Sequence, residues 1–435
     1  MRGAACVAVL ASPTALAGQT TPALTGAERT ITSSVDKHNA EALALLERLV
    51  NINSGTLNFA GVRQVGDVLR SEFDALGFTT RWVDGAGFKR AGHLVAEHKG
   101  SGPKIILIGH LDTVFEPSNP FQKFERLNDT TAKGPGIIDM KGGDVVMLFA
   151  LRALKDAGLL EHMNVTAVFN GDEEEAGEPL DAARKTLIDA AKGASVALGF
   201  EDGAGDPKTA VISRRSAGSW TLKTTGTPAH SGQIFKPEVG AGAVYEASRI
   251  LNAFYTQLSN EQYLTFNPGL AIGGTLVKVD STGVEGSGAG KRNVVAGTMT
   301  VTGDLRTLSP DQHAKAMKTM KTIVSTHHLP KTSATIEFDD GYPPMAPTQG
   351  NRRLLAMYDK ASRDIGTGGV VAVDPSRAGA ADVAFIASIV PMIIDGIGLS
   401  GHDDHSDKET ADLRMLPSQT KRAALVMYRL TRTVP

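Results

Sequence analysis

The sequence predicts an α/β protein in which a doubly wound, mostly parallel sheet carries the site and an inserted ferredoxin-like α+β unit interrupts it. Two observations carry this expectation. Short apolar runs over residues 105–109, 164–169, 195–200 and 391–394 alternate with stretches of helical period, and each run ends at or shortly before histidines or carboxylates. From residue 216 to 340 the order changes to strand, helix, strand, strand, helix, strand, the split βαβ arrangement. With 435 residues the chain is long enough for more than one core.

Taken in order, residues 34–50 repeat Ala, Leu and Val at helical spacing, and 61–76 form a second amphipathic run stopped by Gly77, a residue suited to a left-handed helix end. Residues 79–83 and 94–98 alternate as strands do. Between 113 and 134 there is no period, and Pro117, Pro120 and Asn128-Asp129 mark an irregular connection. Helices are expected over 144–157, ended by Gly158, and over 180–191. In the insertion, strands are expected over 219–224, 270–279, 293–305 and 334–338, with helices over 239–258 and 309–326. The glycine-rich stretch 283–290 reads as a hairpin loop, and 417–432 as a closing helix. The resulting division is 18–215 and 341–435 for the site-bearing unit and 216–340 for the insertion.

Met1-Arg2, an apolar stretch over 3–11 and the Ala15-Leu-Ala17 ending have the form of a secretory signal peptide, residues 1–17, cleaved after Ala17. The expected location is therefore outside the cytoplasm, periplasmic or secreted, with no membrane span after removal of the signal. Cys6, the single cysteine, falls in that segment, so the mature chain has no disulfide. A net charge of -2 supplies no basic field to gather phosphates, and nothing interleaves aromatics with Lys and Arg, which argues against nucleic acid as a partner.

The chemistry-bearing residues sit at the predicted strand ends. His110 and Asp112 end the 105–109 strand two positions apart, and Asp139 stands in the turn Gly136-Ile-Ile-Asp-Met-Lys-Gly-Gly143. Asp172-Glu-Glu174 follows the 164–169 strand, Glu201 follows the 195–200 strand, and His405 lies beyond 391–394. Two divalent ions about 3.5–4 Å apart need a bridging carboxylate with histidine and carboxylate completing each shell. Asp139 is the bridge candidate, with His110 and Glu201 for one ion and Glu174 and His405 for the other. Asp112 is placed to accept the spare ring N–H of His110. Glu173, beside a ligand, is the candidate general base that takes a proton from water and passes it to a leaving amine. Asp202 competes with Glu201, and His402 with His405. Singly, each has a plain structural reading: a cap, a turn residue, a helix-start carboxylate, a solvated loop. Their joint placement at strand ends favours the site.

Together, Gly109-His-Leu-Asp-Thr113, Gly136-Ile-Ile-Asp-Met-Lys-Gly142, Asp172-Glu-Glu174, Gly226-Thr-Pro-Ala-His-Ser231 and His405-Ser-Asp-Lys408 resemble the M20 family of zinc metallopeptidases, in that order and over almost the whole chain. The likeness is greatest to its glutamate carboxypeptidase and aminoacylase branch. The resemblance implies two divalent ions, zinc, on His110, Asp139, Glu174, Glu201 and His405, with Asp112 and Glu173 in the roles given above. It implies a homodimer through the insertion, with His230 reaching the neighbouring subunit's site to stabilise an oxyanion. Asn293 and Arg306 look like its substrate-side residues, and the Gly379-Ala-Ala-Asp382 turn would offer backbone groups to a substrate carboxylate, with Arg214-Arg215 a further candidate. The implied activity is cleavage of an amide bond next to a free carboxylate in a small peptide or N-acyl amino acid. The alternatives are an N-acyl amino acid deacylase, a dipeptidase or aminopeptidase of the same family, or a non-enzymatic peptide-binding protein.

Overall fold

The structure, a computed structural model, describes residues 24–202 and 204–433. The signal segment and Cys6 lie outside the described residues.

The central sheet has the order Thr79–Asp84, Gly92–His98, Asn164–Asn170, Lys104–His110, Val196–Gly199, Ile393–Ile394. The first two pairings are antiparallel and the other three parallel. Alternate residues of one strand serve two cores: Ile105 and Leu107 face one side, Ile106 and Ile108 the other. Covering both faces is why these strands read as continuous apolar runs instead of alternating ones. One face carries helices α1 (Gly26–Val50), α2 (Phe59–Leu76) and α3 (Lys141–Asp156). The other carries α4 (Leu180–Ala191) and the 381–393 segment.

Helix α1 starts at Gly26, well before residue 34, because Thr25 and Glu28 form a reciprocal capping box. Helix α2 ends where expected, at Gly77 with φ +96°. Gly143, in the first turn of α3, allows that helix to press on the neighbouring strand end, since a Cβ there would lie 1.9 Å from the Phe200 carbonyl oxygen. The 113–134 connection is not wholly irregular: Glu125–Arg126 and Thr131–Lys133 pair, and Thr131–Lys133 also pairs with Thr410–Asp412 near the end of the chain.

The insertion forms its own antiparallel sheet in the order Thr265–Gly274, Thr298–Arg306, Ala217–Thr225, Ser333–Tyr342. Helices α5 (Ala243–Leu258) and α6 (Pro310–Ser325) cover one face around Trp220, Leu222, Phe254 and Met320. The other face exposes Ser219, Lys223 and Thr225. One expected strand, 270–279, is in fact two. The chain leaves the sheet at Thr275, and Leu276–Val279 pairs with Gly286–Ala289 as a separate hairpin. Gly274 permits the crossing, because a Cβ there would lie 2.5 Å from the Ala289 carbonyl. The glycine-rich loop is thus partly strand, and the strand expected from 293 begins at Thr298. Helices α7 (Gln349–Asp364) and α8 (Met415–Thr433) close the fold. Among the described residues no helix is long and apolar enough to cross a membrane.

Candidate metal centre

Three strands of the central sheet end on one edge of it. The Lys104–His110 strand places His110, the Asn164–Asn170 strand runs into Asp172-Glu173-Glu174, and the Val196–Gly199 strand leads to Glu201. Asp139 arrives in the turn before α3, and His405 in a loop where it and Asp403 adopt left-handed φ of 58° and 63°. Such a conformation is uncommon for residues with a Cβ and marks a backbone held by its surroundings.

Asp139 sits between the two histidines. Its Oδ1 is 3.0 Å from His110 Nε2 and its Oδ2 is 2.9 Å from His405 Nε2. Glu201 Oε1 lies 3.6 Å from the same His110 nitrogen, and Glu174 Oε2 lies 3.1 Å from the same His405 nitrogen. His110, Asp139 and Glu201 form one group able to hold an ion, and Asp139, His405 and Asp404 a second. Asp404, an exposed residue, was not expected from the sequence. Glu201 rather than Asp202 approaches His110, and His405 rather than His402 reaches Asp139; Asp202 and His402 line the same cavity.

The donor set fits a pair of cations. His110 Nδ1 donates to the Asp112 backbone carbonyl at 3.1 Å, which turns Nε2 toward the carboxylates. One Glu174 oxygen, Oε1, is buried without a hydrogen-bond partner. Hydrogen bonds to Asp139 and Glu174 push the His405 imidazole up to about 11. Burial alone would raise the Asp139 carboxyl, yet hydrogen bonds from His110 and His405 hold it well below the usual range. Asp139 and Glu174 therefore draw positive charge toward the His405 imidazole.

Asp112 does more than face His110. Its carboxylate stands 3.5 Å from His110 Nδ1, farther than its own carbonyl does. Its oxygens also accept the Glu173 N–H at 3.0 Å, the Glu174 N–H at 3.1 Å and the Thr56 hydroxyl at 2.7 Å. The side chain expected to orient the histidine thus also fixes the loop bearing the two glutamates. Beneath that loop, buried Arg184 pairs with Asp172 at 2.7 Å and with Asp382 at 2.7 Å. Burial, reinforced by the charge of Asp382, pushes the Glu173 carboxyl well above its ordinary range.

A cavity of about 390 Å³ opens over this cluster, lined by Glu173, Glu174 and Glu201 and also by Arg214, Arg377 and Gly379. Arg214 is clamped by Asp395, with Nε and Nη2 at 2.8 Å and 2.7 Å from Oδ2, and its Nη1 donates to the Gly379 carbonyl at 3.3 Å. The Gly379 expectation and the Arg214 candidate thus meet in one wall. His230, Asn293 and Arg306 do not line this cavity. His230 lies exposed in the loop after the Ala217–Thr225 strand, bridged to Val294, and Arg306 pairs with Asp304 at 3.0 Å.

The sequence profile of peptidase family M20/M25/M40 matches residues 106–432. The chain belongs to this family. It is a metal-dependent hydrolase, and its relatives bear that out. Carboxypeptidase G2 of Pseudomonas sp. (strain RS-16) is 29% identical over 392 residues, 88% of each chain. Among solved structures, aminopeptidase PepT of Bacillus cereus superposes with a TM-score of 0.70 at 19% identity, over 90% of this chain and 98% of its own. The YXEP protein of Bacillus subtilis, described as a dinuclear metal-binding peptidase of the M20 family, gives 0.60 at 14% identity, over 92% and 99%. These two likenesses speak to the fold of an M20 peptidase. Glu409, one residue beyond the His405-Ser-Asp-Lys408 motif, had escaped notice. Its buried carboxylate accepts the N–H groups of Gly136, Ile138 and Asp139 at 2.8, 2.9 and 3.2 Å. In the sequence, its only signal is a carboxylate directly after His405-Ser-Asp-Lys408.

Proposed function

We propose that this M20 peptidase is a carboxypeptidase of the glutamate carboxypeptidase type, which cleaves the amide bond next to a free C-terminal carboxylate in a small peptide or N-acyl amino acid. The observation that carries the reading is the shared cavity: Asp139 divided between His110 and His405 on one side, and a guanidinium, Arg214, with the Gly379 backbone on the other. Similarity to Carboxypeptidase G2 over 88% of the chain supports it.

In this reading His110, Asp139 and Glu201 would hold one divalent ion, zinc, and Asp139, Glu174 and His405 would hold the other. The chemistry expected of such a pair is polarisation of a carbonyl and acidification of water. Glu173 takes a proton from the attacking water as the new carbon–oxygen bond forms. It delivers that proton to the amide nitrogen as the carbon–nitrogen bond breaks, releasing an acid and an amine. A carboxyl raised by burial suits both halves of that transfer. Arg214 and Gly379 orient the substrate carboxylate. Asn293, Arg306 and His230 belong to the active unit only if a second subunit brings the insertion over the cavity, so the reading includes a homodimer built through residues 216–340. It also includes export after removal of residues 1–17.

The experiment is a hydrolysis screen on zinc-reconstituted protein with N-acyl amino acids and C-terminal glutamyl peptides, each with its carboxylate free or amidated and its amine free or blocked. Cleavage that disappears on amidation and survives amine blocking is expected. The reverse pattern would make the protein an aminopeptidase, and no amine release with any substrate would leave a binding protein.

A further inference from the structure

The last residue of the inserted sheet reaches the general-base loop. In the Ser333–Tyr342 strand the pairing with Ala217–Thr225 slips between Asp339 and Tyr342. The slip turns on Gly341, at φ +52°, where a Cβ would lie 2.1 Å from the Ala217 carbonyl oxygen. An irregularity of this kind re-aims the side chain that follows it. Tyr342 stays paired with Ala217 at the end of the sheet, and its ring packs edge-on against Phe385, with centroids 4.8 Å apart.

The Tyr342 hydroxyl has one proton, and its direction is determined. Arg184 Nη2 donates to the phenolic oxygen, so the hydroxyl donates onward, to the Glu173 backbone carbonyl at 2.9 Å. Arg184 is held in place: Nη1 donates to Asp172 Oδ1 at 2.7 Å, Nη2 also donates to the Asp172 carbonyl at 2.9 Å, the guanidinium pairs with Asp382, and the side chain is fully buried. The Glu173 N–H, meanwhile, donates to Asp112 Oδ1 at 3.0 Å. Both polar groups of the Glu173 backbone are therefore held, one from the metal-bearing strand and one from the end of the inserted sheet.

We infer that Tyr342 is a positioning residue for Glu173: it ties the place of the Glu173 carboxylate over the cavity to the seating of the inserted sheet. The inference rests on the reading of Glu173 as general base. Removing the hydroxyl frees one side of the backbone and lets the carboxylate drift, and a displacement of a fraction of an ångström in a reacting group costs rate without costing binding. Among the described residues, neither Tyr342 nor Arg184 forms a hydrogen bond or ion pair with the side chains of His110, Asp139, Glu174, Glu201 or His405, so metal content is expected to change little.

The test compares Tyr342→Phe, which keeps the ring on Phe385, with the parent protein. Expected are a kcat lower by about tenfold, a KM within about twofold, an unchanged zinc content, and no further loss when Tyr342→Phe is added to Glu173→Gln. In the metal-free protein, the amides of the 171–177 peptide should exchange with deuterium about tenfold faster in the variant. Tyr342→His, which keeps a ring N–H donor, should recover part of both effects. An unchanged kcat, an equal further loss in the Glu173→Gln background, unchanged exchange, or failure of both variants to fold would overturn the inference. The exchange reading needs no turnover, so a parent protein inactive on every substrate would sink the proposed function and leave this arm readable.

Discussion

The carboxylate of Glu409 accepts the backbone N–H of Asp139 at 3.2 Å, across 270 residues of sequence. With the amides of Gly136 and Ile138 on the same carboxylate, the turn that presents Asp139 is held by an acceptor that bonds to its backbone and not to its carboxylate. Glu409→Gln replaces one of these acceptor oxygens with an amide NH₂ that opposes the backbone donors. Zinc affinity, measured by competition with a chromophoric chelator, should fall about 10–100-fold, while kcat recovers at saturating zinc. A loss of kcat that zinc cannot restore would place Glu409 in the chemistry itself.

Glu173→Ala should separate metal holding from turnover. The groups able to hold a cation contain other carboxylates, so the metal content of the metal-loaded protein should stay at the parent's value by elemental analysis while kcat falls by about 10³-fold or more. Parallel loss of metal and activity would make Glu173 a ligand.

His230, whose Nδ1 accepts the Gly232 N–H at 3.2 Å, does not line the cavity of its own chain. His230→Ala should lower kcat about 10²–10³-fold. Mixing it with Glu173→Ala should restore activity through hybrid dimers that contain one intact site. Absence of complementation in a mixture shown to exchange subunits rules out sharing.

His93 gives a pH dependence whose sign is determined. Burial, with the charge of Arg184 acting the same way, brings its imidazole down to about 4 from an ordinary value of 6.5. The neutral ring donates from Nε2 to the Ala183 carbonyl at 2.8 Å and accepts the Gly171 N–H on Nδ1 at 3.2 Å. The unfolded chain therefore binds the proton first. Stability is fully present above pH 6.5 and is lost as the pH falls from there toward 4, by at most about 3 kcal/mol. Thermal unfolding of the metal-free protein between pH 7 and 4 should show this slope, flattened in His93→Gln, which takes up no proton.

Much of the central sheet was legible because strands buried on both faces are short apolar runs, and 104–110 and 164–170 could hardly be anything else. The ligand cluster was legible because those runs deliver polar residues at their ends. Helix α7 went unread: its buried Leu354, Tyr358 and Ala361 are diluted by Arg352, Arg353, Asp359 and Lys360, so its stripe is narrow. The split at Thr275 was hidden because the hairpin strand Gly286–Ala289 carries almost no side chain to pattern. Tyr342 and Arg184 were invisible for another reason: their meaning depends on a bulge and on a contact across 158 residues, and neither leaves a local trace.

Asp139 meets His405 only after the intervening insertion has been bypassed and the last loop has come back to the sheet edge. Cations that need both residues bind the finished fold and ignore partly folded chains, so they act as a mass-action lock on native topology, worth about 2.7 kcal/mol at a hundredfold excess over Kd. Of the two groups, only the one that includes His405 draws on the returning loop, so it alone ties ion retention to the closing of the chain's last turn onto the sheet edge.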